Sequence, residues 1–138
     1  MNYRPVFIVD DDLEERDIIR DIFQELNVQN PLLFFETGQE VLDHMQKDPT
    51  NPFLIICDLN LPQMDGFALR QKFADEDSFH YKSIPFIFWS TTASNDQIKK
   101  AYDFGAHGFF FKGHSYAEMR ESLSTIFHYW MSSKSPVV

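Results

Sequence analysis

The sequence predicts an α/β protein: a doubly wound, five-stranded parallel sheet with helices on both faces. Three observations carry that expectation. Five short runs, at 6–9, 32–35, 53–57, 84–89 and 108–111, are apolar at nearly every position. A strand without polar alternation is most easily buried on both faces, as in a parallel sheet covered by helices. Each run is followed by a stretch with apolar residues at helical spacing, and repeated βα units give right-handed crossovers onto such a sheet. The 138 residues suit one domain, 1–138, with a real core and no room for a second.

The elements follow in order. Val6-Phe7-Ile8-Val9 is a buried strand ending in Asp10-Asp11-Asp12. From Leu13 to Leu26, residues Leu13, Ile18, Ile19, Ile22, Phe23 and Leu26 recur at roughly helical spacing, with Asp12 as cap and Glu15 completing a capping box. Leu32-Leu33-Phe34-Phe35 is the second strand. Thr37 and Glu40 cap a helix with Val41, Leu42 and Met45 inward, which Pro49 and Pro52 end. Phe53-Leu54-Ile55-Ile56-Cys57 is the third strand, delivering Asp58 to its end. The turn with Pro62 and Gly66 leads into a short helix, about 66–74, that turns Phe67, Leu69 and Phe73 inward and sends the charged ends of Arg70 and Lys72 to water.

A polar connection, 75–83, precedes the fourth run, Ile84 to Trp89, where Pro85 is tolerable near a strand's start. Ser94 and Gln97 form another capping box for a helix reaching Phe104, with Gly105 as its stop. Gly108-Phe109-Phe110-Phe111 is the fifth strand, ending at Lys112. Ser115 and Glu118 cap the last helix, with Met119, Leu123, Ile126, Phe127 and Trp130 inward. The core spans about 5–131, and 132–138 form a tail. The simplest strand order is the flavodoxin-like 2-1-3-4-5.

Charge and composition exclude several roles. Hydrophobic residues at 43% and charged residues at 24% are globular values, and the 15 Phe residues read as bulky core filling. A net charge of −9 argues against direct nucleic-acid binding, which needs clustered Lys and Arg, and against an anionic membrane surface. The single cysteine, Cys57, rules out an internal disulfide, fits a reducing cytosol and reads as a buried thiol. There is no signal-peptide pattern at the start and no stretch long enough to span a membrane, so the expected location is cytoplasmic.

Chemistry gathers at the strand ends. Strand one offers Asp10 and Asp11, strand three Asp58, strand four Ser90 and strand five Lys112. In the order 2-1-3-4-5 these four strands lie side by side, and ligands sit at their carboxyl ends. Three nearby carboxylates repel and need a cation, and an all-oxygen set suits Mg²⁺. With that ion on one oxygen, Lys112 on a second and Ser90 on a third, a phosphoryl group fits the open position. The expectation is a phosphoryl-transfer site with an aspartate nucleophile.

Ile8-Val9-Asp10-Asp11-Asp12, Asp58-Leu59-Asn60-Leu61-Pro62-Gln63-Met64-Asp65-Gly66, and Gly105-Ala106-His107-Gly108-Phe109 with Lys112 resemble the receiver domain of two-component response regulators. The likeness runs from Val6 to Met131 and is greatest for stand-alone receivers of the chemotaxis and phytochrome-associated types. It implies a signalling domain, not a conventional enzyme. By the resemblance, Asp58 would take a phosphoryl group from a histidine kinase or histidine phosphotransfer protein. Asp11 would bind Mg²⁺ directly, Asp10 mostly through water, and the Asn60 backbone carbonyl as a further ligand. Ser90 would move to hydrogen-bond the phosphoryl group, Phe109 would be the switch aromatic, and Lys112 would pair with a phosphoryl oxygen. Asn60 and Thr92 match two positions that tune hydrolysis. Output would pass through the face of the fourth helix, fifth strand and fifth helix, where Lys99, Lys100, Tyr102 and His107 could meet a partner or a second copy.

Three departures stand out. Gly113 replaces the family's usual cis-proline after the lysine, which puts the reach of Lys112 in doubt; Ser90 replaces threonine; Phe109 lacks a tyrosine hydroxyl. Two other readings compete. A haloacid-dehalogenase-like phosphatase would use Asp10 as nucleophile, but Glu14 stands where that motif wants Thr or Val. A receiver-like interaction module would use no phosphoryl group at all. Flavodoxin-like FMN binding is weaker, because the first loop is acidic where a phosphate cradle is needed.

Overall fold

The four residues of β1 (Val6–Val9) are all buried, and the strand lies between two others. The computed structural model describes residues 3–75 and 83–134. Among them are β1, α1 (Leu13–Glu25), β2 (Leu32–Phe35), α2 (Gly38–Lys47), β3 (Leu54–Cys57), α3 (Gly66–Asp75), β4 (Phe86–Ser90), α4 (Asn95–Asp103), β5 (Gly108–Phe111) and α5 (Tyr116–Ser132). The strands form one parallel sheet in the order β2-β1-β3-β4-β5, as the sequence predicts.

Register makes the strand ends level. Val9 pairs with both Phe35 and Cys57, so the next residues, Asp10 and Asp58, leave adjacent strands together. Ser90 pairs with Phe111, which brings Lys112 out beside them.

Side chains alternate across a strand, and here both faces are apolar. Phe7, Val9, Ile55, Cys57, Phe86 and Phe88 pack on one side with residues of α2, α3 and α4. Val6, Ile8, Leu54, Ile56, Ile87 and Trp89 pack on the other with α1 and α5. Phenylalanine fills the first layer: Phe86 meets Phe88 at 5.3 Å and Phe73 at 5.7 Å, edge to face, and Phe67 lies 5.6 Å from Phe88.

The caps explain where helices begin. Ser94 and Gln97 form the full reciprocal box at α4. At α2, Thr37 accepts from Glu40 N, but the Glu40 carboxylate reaches past the cap to Glu36 N. Ser115 accepts the Glu118 amide at α5. At α1, Asp12 accepts from the Glu14 and Glu15 amides, while the Glu15 side chain goes elsewhere.

Several expectations shift. Leu13 is 61% exposed, because nine helical steps put it about 180° from Ile22. α1 ends at Glu25, α4 at Asp103 and α3 at Asp75. β3 starts at Leu54, and β4 runs from Phe86 to Ser90, beginning after Pro85. α5 continues through Ser132, the first residue assigned to the tail. Arg70 is 5% exposed, not in water: its stem lies on the inward stripe of α3, its Nε donates to Phe104 O at 3.2 Å and its guanidinium covers Phe86. Most of the connection 75–83 falls outside the described residues, as does the end of the tail.

The turn after β3 depends on Gly66, whose N–H donates to Leu59 O at 3.0 Å. A Cβ there would lie 2.6 Å from the Phe88 ring and 2.8 Å from the Asp58 carbonyl oxygen. Gly66→Ala is expected to cost about 1–3 kcal/mol, as overpacking of a tight site does, and to lower the thermal midpoint. An unchanged melting curve would contradict this close approach.

Candidate functional site

Asp10 follows β1 and is 2% exposed, with its backbone N–H on Phe35 O. Its Oδ1 accepts the Asp12 amide at 2.9 Å. Asp58 follows β3; its N–H donates to Val9 O, and its Oδ1 accepts the Asn60 amide at 3.2 Å. From the opposite edge Lys112, 4% exposed, donates its backbone N–H to Ser90 O at 2.9 Å. Its ammonium reaches Asp58 Oδ2 at 3.0 Å and Asp10 Oδ2 at 3.3 Å, and also contacts Glu15 Oε1. The Trp89 ring lies 5.1 Å from the same ammonium.

Asp10, Glu15 and Asp58 thus bring three carboxylate oxygens within 4.8 Å of one another. Three carboxylates face one ammonium, an excess of two negative charges when all three are ionised. Burial, then the hydrogen bond with Asp10, raises the Glu15 carboxyl to about 7, against the pull of Lys112. Burial also raises Asp58, opposed by Lys112 and the Asn60 amide. For Lys112, burial acts downward, but the charges of Asp10 and Asp58, with Glu15, outweigh it and hold the ammonium firmly protonated. The donor set therefore suits a hard divalent cation: oxygen ligands only, close together, with charge to neutralise.

The structure gathers Asp10, Asp58 and Lys112 as the sequence predicts, and it adds Glu15. Asp11 is exposed and is not one of the three clustered carboxylates. Sequence reasoning assigned Glu15 to a capping box; the available signal was that Asp10, two residues before Asp12, can satisfy the Asp12 amide and free the glutamate. Ser90, 1% exposed, donates its hydroxyl to Thr92 O at 3.0 Å. Asn60 and Thr92 are exposed beside the site. Phe109 is half-buried, 6.0 Å from Phe88 and 5.9 Å from Phe111. The Cys57 thiol is buried, raised by that burial and by Asp58 and Asp10, and donates to Asp58 O; it is structural.

Gly113 shapes the loop after the lysine. No cis peptide bond occurs among the described residues, and Gly113 has φ +87°, a left-handed turn. A Cβ there would lie 2.5 Å from the Glu118 Cβ. With this loop in place, Lys112 reaches Asp58.

A family profile for the response regulator receiver domain matches residues 6–124. The chain is 22% identical over 136 residues to the probable methanogenesis regulatory protein FilR2 of Methanothrix harundinacea, covering 95% of this chain and 86% of that protein. It is 19% identical to response regulator Rcp1 of Synechocystis, covering 93% and 89%. Among solved structures, phosphorylated RcpA, a cyanobacterial phytochrome response regulator, superposes with TM-score 0.88 at 22% identity, covering 98% of this chain and 99% of that one. The Mn²⁺-bound form of Rcp1 gives TM-score 0.84 at 18% identity, covering 97% and 99%. Among the described residues no helix is long and apolar enough to cross a membrane.

The raised Glu15 carboxyl predicts a pH dependence for the ion-free protein. Below about 4.5 the group is protonated folded and unfolded, and its contribution is fully present; it is lost as pH rises through about 7. In EDTA the thermal midpoint of wild type should therefore fall relative to Glu15→Gln across that window. Parallel curves for the two proteins would contradict the placement of Glu15.

Proposed function

The chain belongs to the response regulator receiver domain family of two-component signalling, and on that premise we propose that Asp58 accepts a phosphoryl group and that its arrival switches protein–protein contacts. The donor is a histidine kinase or a histidine phosphotransfer protein. One observation carries this reading: of the two strand-end carboxylates on Lys112, Asp58 is open to an incoming group. Its side chain is 16% exposed, against 3% for Asp10, whose Oδ1 is also occupied by the Asp12 amide. The same difference disfavours Asp10 as a phosphatase nucleophile.

Asp10, Asp11 and Asp58, with the Asn60 carbonyl, would hold Mg²⁺. When bound, the ion supplies positive charge that lets a carboxylate and a phosphoryl group approach. The residues do the rest. An Asp58 Oδ forms the bond to phosphorus as the bond from phosphorus to the donor's imidazole nitrogen breaks; the imidazole keeps the electron pair. Lys112 follows the growing charge from Asp58 Oδ2 to a phosphoryl oxygen. Ser90 gives up the Thr92 carbonyl and donates to another, and Phe109 packs inward behind it. Asn60 and Thr92 flank the group and set access of water.

The output face is that of α4, β5 and α5. A cavity of about 240 Å³ lies there, lined by Tyr102, His107, Phe109, Ile126, Tyr129 and Trp130. Tyr102 is 51% exposed and Lys99 is exposed on the same helix, whereas the Lys100 ammonium turns toward α3, 4.6 Å from the Phe67 ring. His107 is partly tied down, since its Nδ1 accepts the Phe86 amide at 3.0 Å. A protein partner or a second copy of the chain would dock on this face. The chain acts in the cytoplasm, and its net charge of −9 disfavours direct contact to nucleic acid.

Intact mass after incubation with Mg²⁺ and acetyl phosphate tests the central step. The expected result is a base-labile, Mg²⁺-dependent phosphate adduct that vanishes in Asp58→Asn and weakens in Asp10→Asn. An adduct that survives in Asp58→Asn, or none in wild type, would refute it.

A further inference from the structure

Glu15 stands at the third position of α1, where a capping-box residue would face back to the Asp12 amide. That amide is already held by Asp10 Oδ1 at 2.9 Å. Freed from the cap, the Glu15 carboxylate crosses to the ammonium of Lys112, 97 residues away in the chain, and its side chain is 18% exposed there. The same ammonium is the group that touches Asp58. Glu15 is thus an acid in the site that the nucleophile, the expected metal ligands and the expected phosphoryl contacts leave without a role.

We propose that Glu15 is a positioning residue that sets the charge balance of this site: it holds Lys112 against an incoming phosphoryl group and supplies a negative charge that favours a divalent cation. The proposal rests on Asp58 being the phosphoacceptor. With Glu15 ionised, the three clustered carboxylates exceed the one ammonium by two charges, which one divalent cation neutralises. A phosphoryl group on Asp58 adds one more negative charge and needs Lys112 for itself. Glu15 then competes for the lysine and repels the newcomer. It therefore stabilises the ion-loaded, unmodified state and opposes the modified one.

The two halves have opposite signs, which a misfolded or loosened variant would not reproduce. Trp89 is the reporter, with its ring 5.1 Å from the Lys112 ammonium. Trp130→Phe, applied to every protein compared, leaves Trp89 as the single tryptophan. Fluorescence titration with MgCl₂, then with beryllofluoride at saturating Mg²⁺, gives two dissociation constants. Glu15→Gln is expected to weaken Mg²⁺ binding by on the order of tenfold and to tighten beryllofluoride binding by on the order of tenfold, the scale of one charge at a partly screened site. Glu15→Asp keeps the charge and is expected to keep the wild-type Mg²⁺ constant.

Mg²⁺ binding unchanged in Glu15→Gln, or both constants moving in one direction, would overturn the proposal. So would a Glu15→Asp protein that binds Mg²⁺ as weakly as Glu15→Gln. Failure of the phosphoacceptor reading is separate: wild type and Asp58→Asn would then respond alike to beryllofluoride, while the Mg²⁺ titration would still judge Glu15.

Discussion

One ammonium, that of Lys112, faces the carboxylates of Asp10, Glu15 and Asp58 at the open end of the sheet, and the surrounding structure serves to hold that meeting in place. The parallel register ends β1 and β3 level, so two aspartates leave adjacent strands side by side. The pairing of β4 with β5 brings the lysine alongside them. A buried ammonium without partners would be costly, and so would a buried carboxylate. Together they hold each other at the edge of a core that would reject either alone. The balance is still negative, and this residual charge suits the site to a divalent cation.

Rigidity beneath the site comes from the aromatic layer. Phe67, Phe73, Phe86 and Phe88 interlock on the face that carries α3 and α4. Phe88 is also the ring against which Gly66 closes the turn after Asp58, and against which Phe109 rests. Packing under Asp58 and packing under Phe109 are therefore one contact set. A shift of Phe109 has a short physical route to the turn that holds Asp58, and the Ser90 hydroxyl, parked on the Thr92 carbonyl, lies on the neighbouring strand end.

Much of this was legible in the sequence because burial on both faces of a parallel strand leaves a plain mark. The runs at Val6 and Leu54 have no polar residue, and their order with the intervening helices fixed the topology. The strand-end Asp10, Asp58 and Lys112 were legible for the same reason. What escaped depended on tertiary partners. Glu15 fits a local capping pattern, yet its carboxylate is claimed by a lysine 97 residues on. Arg70 looks like a surface arginine, yet a helix C-terminal carbonyl and an aromatic ring hold it inside. Leu13 looks like core by type, yet helix geometry turns it to water. The loop after Lys112 was readable only as a departure; Gly113 and its left-handed turn supply the path.

The most direct measurement is a crystal structure of the protein soaked with Mg²⁺ and beryllofluoride. We expect beryllium on an Asp58 carboxylate oxygen, one Mg²⁺ against Asp10 and Asp58, and the Lys112 ammonium moved from Asp58 Oδ2 to a fluorine. Density for neither group at Asp58, with Lys112 still bridging Asp10 and Asp58, would contradict the account.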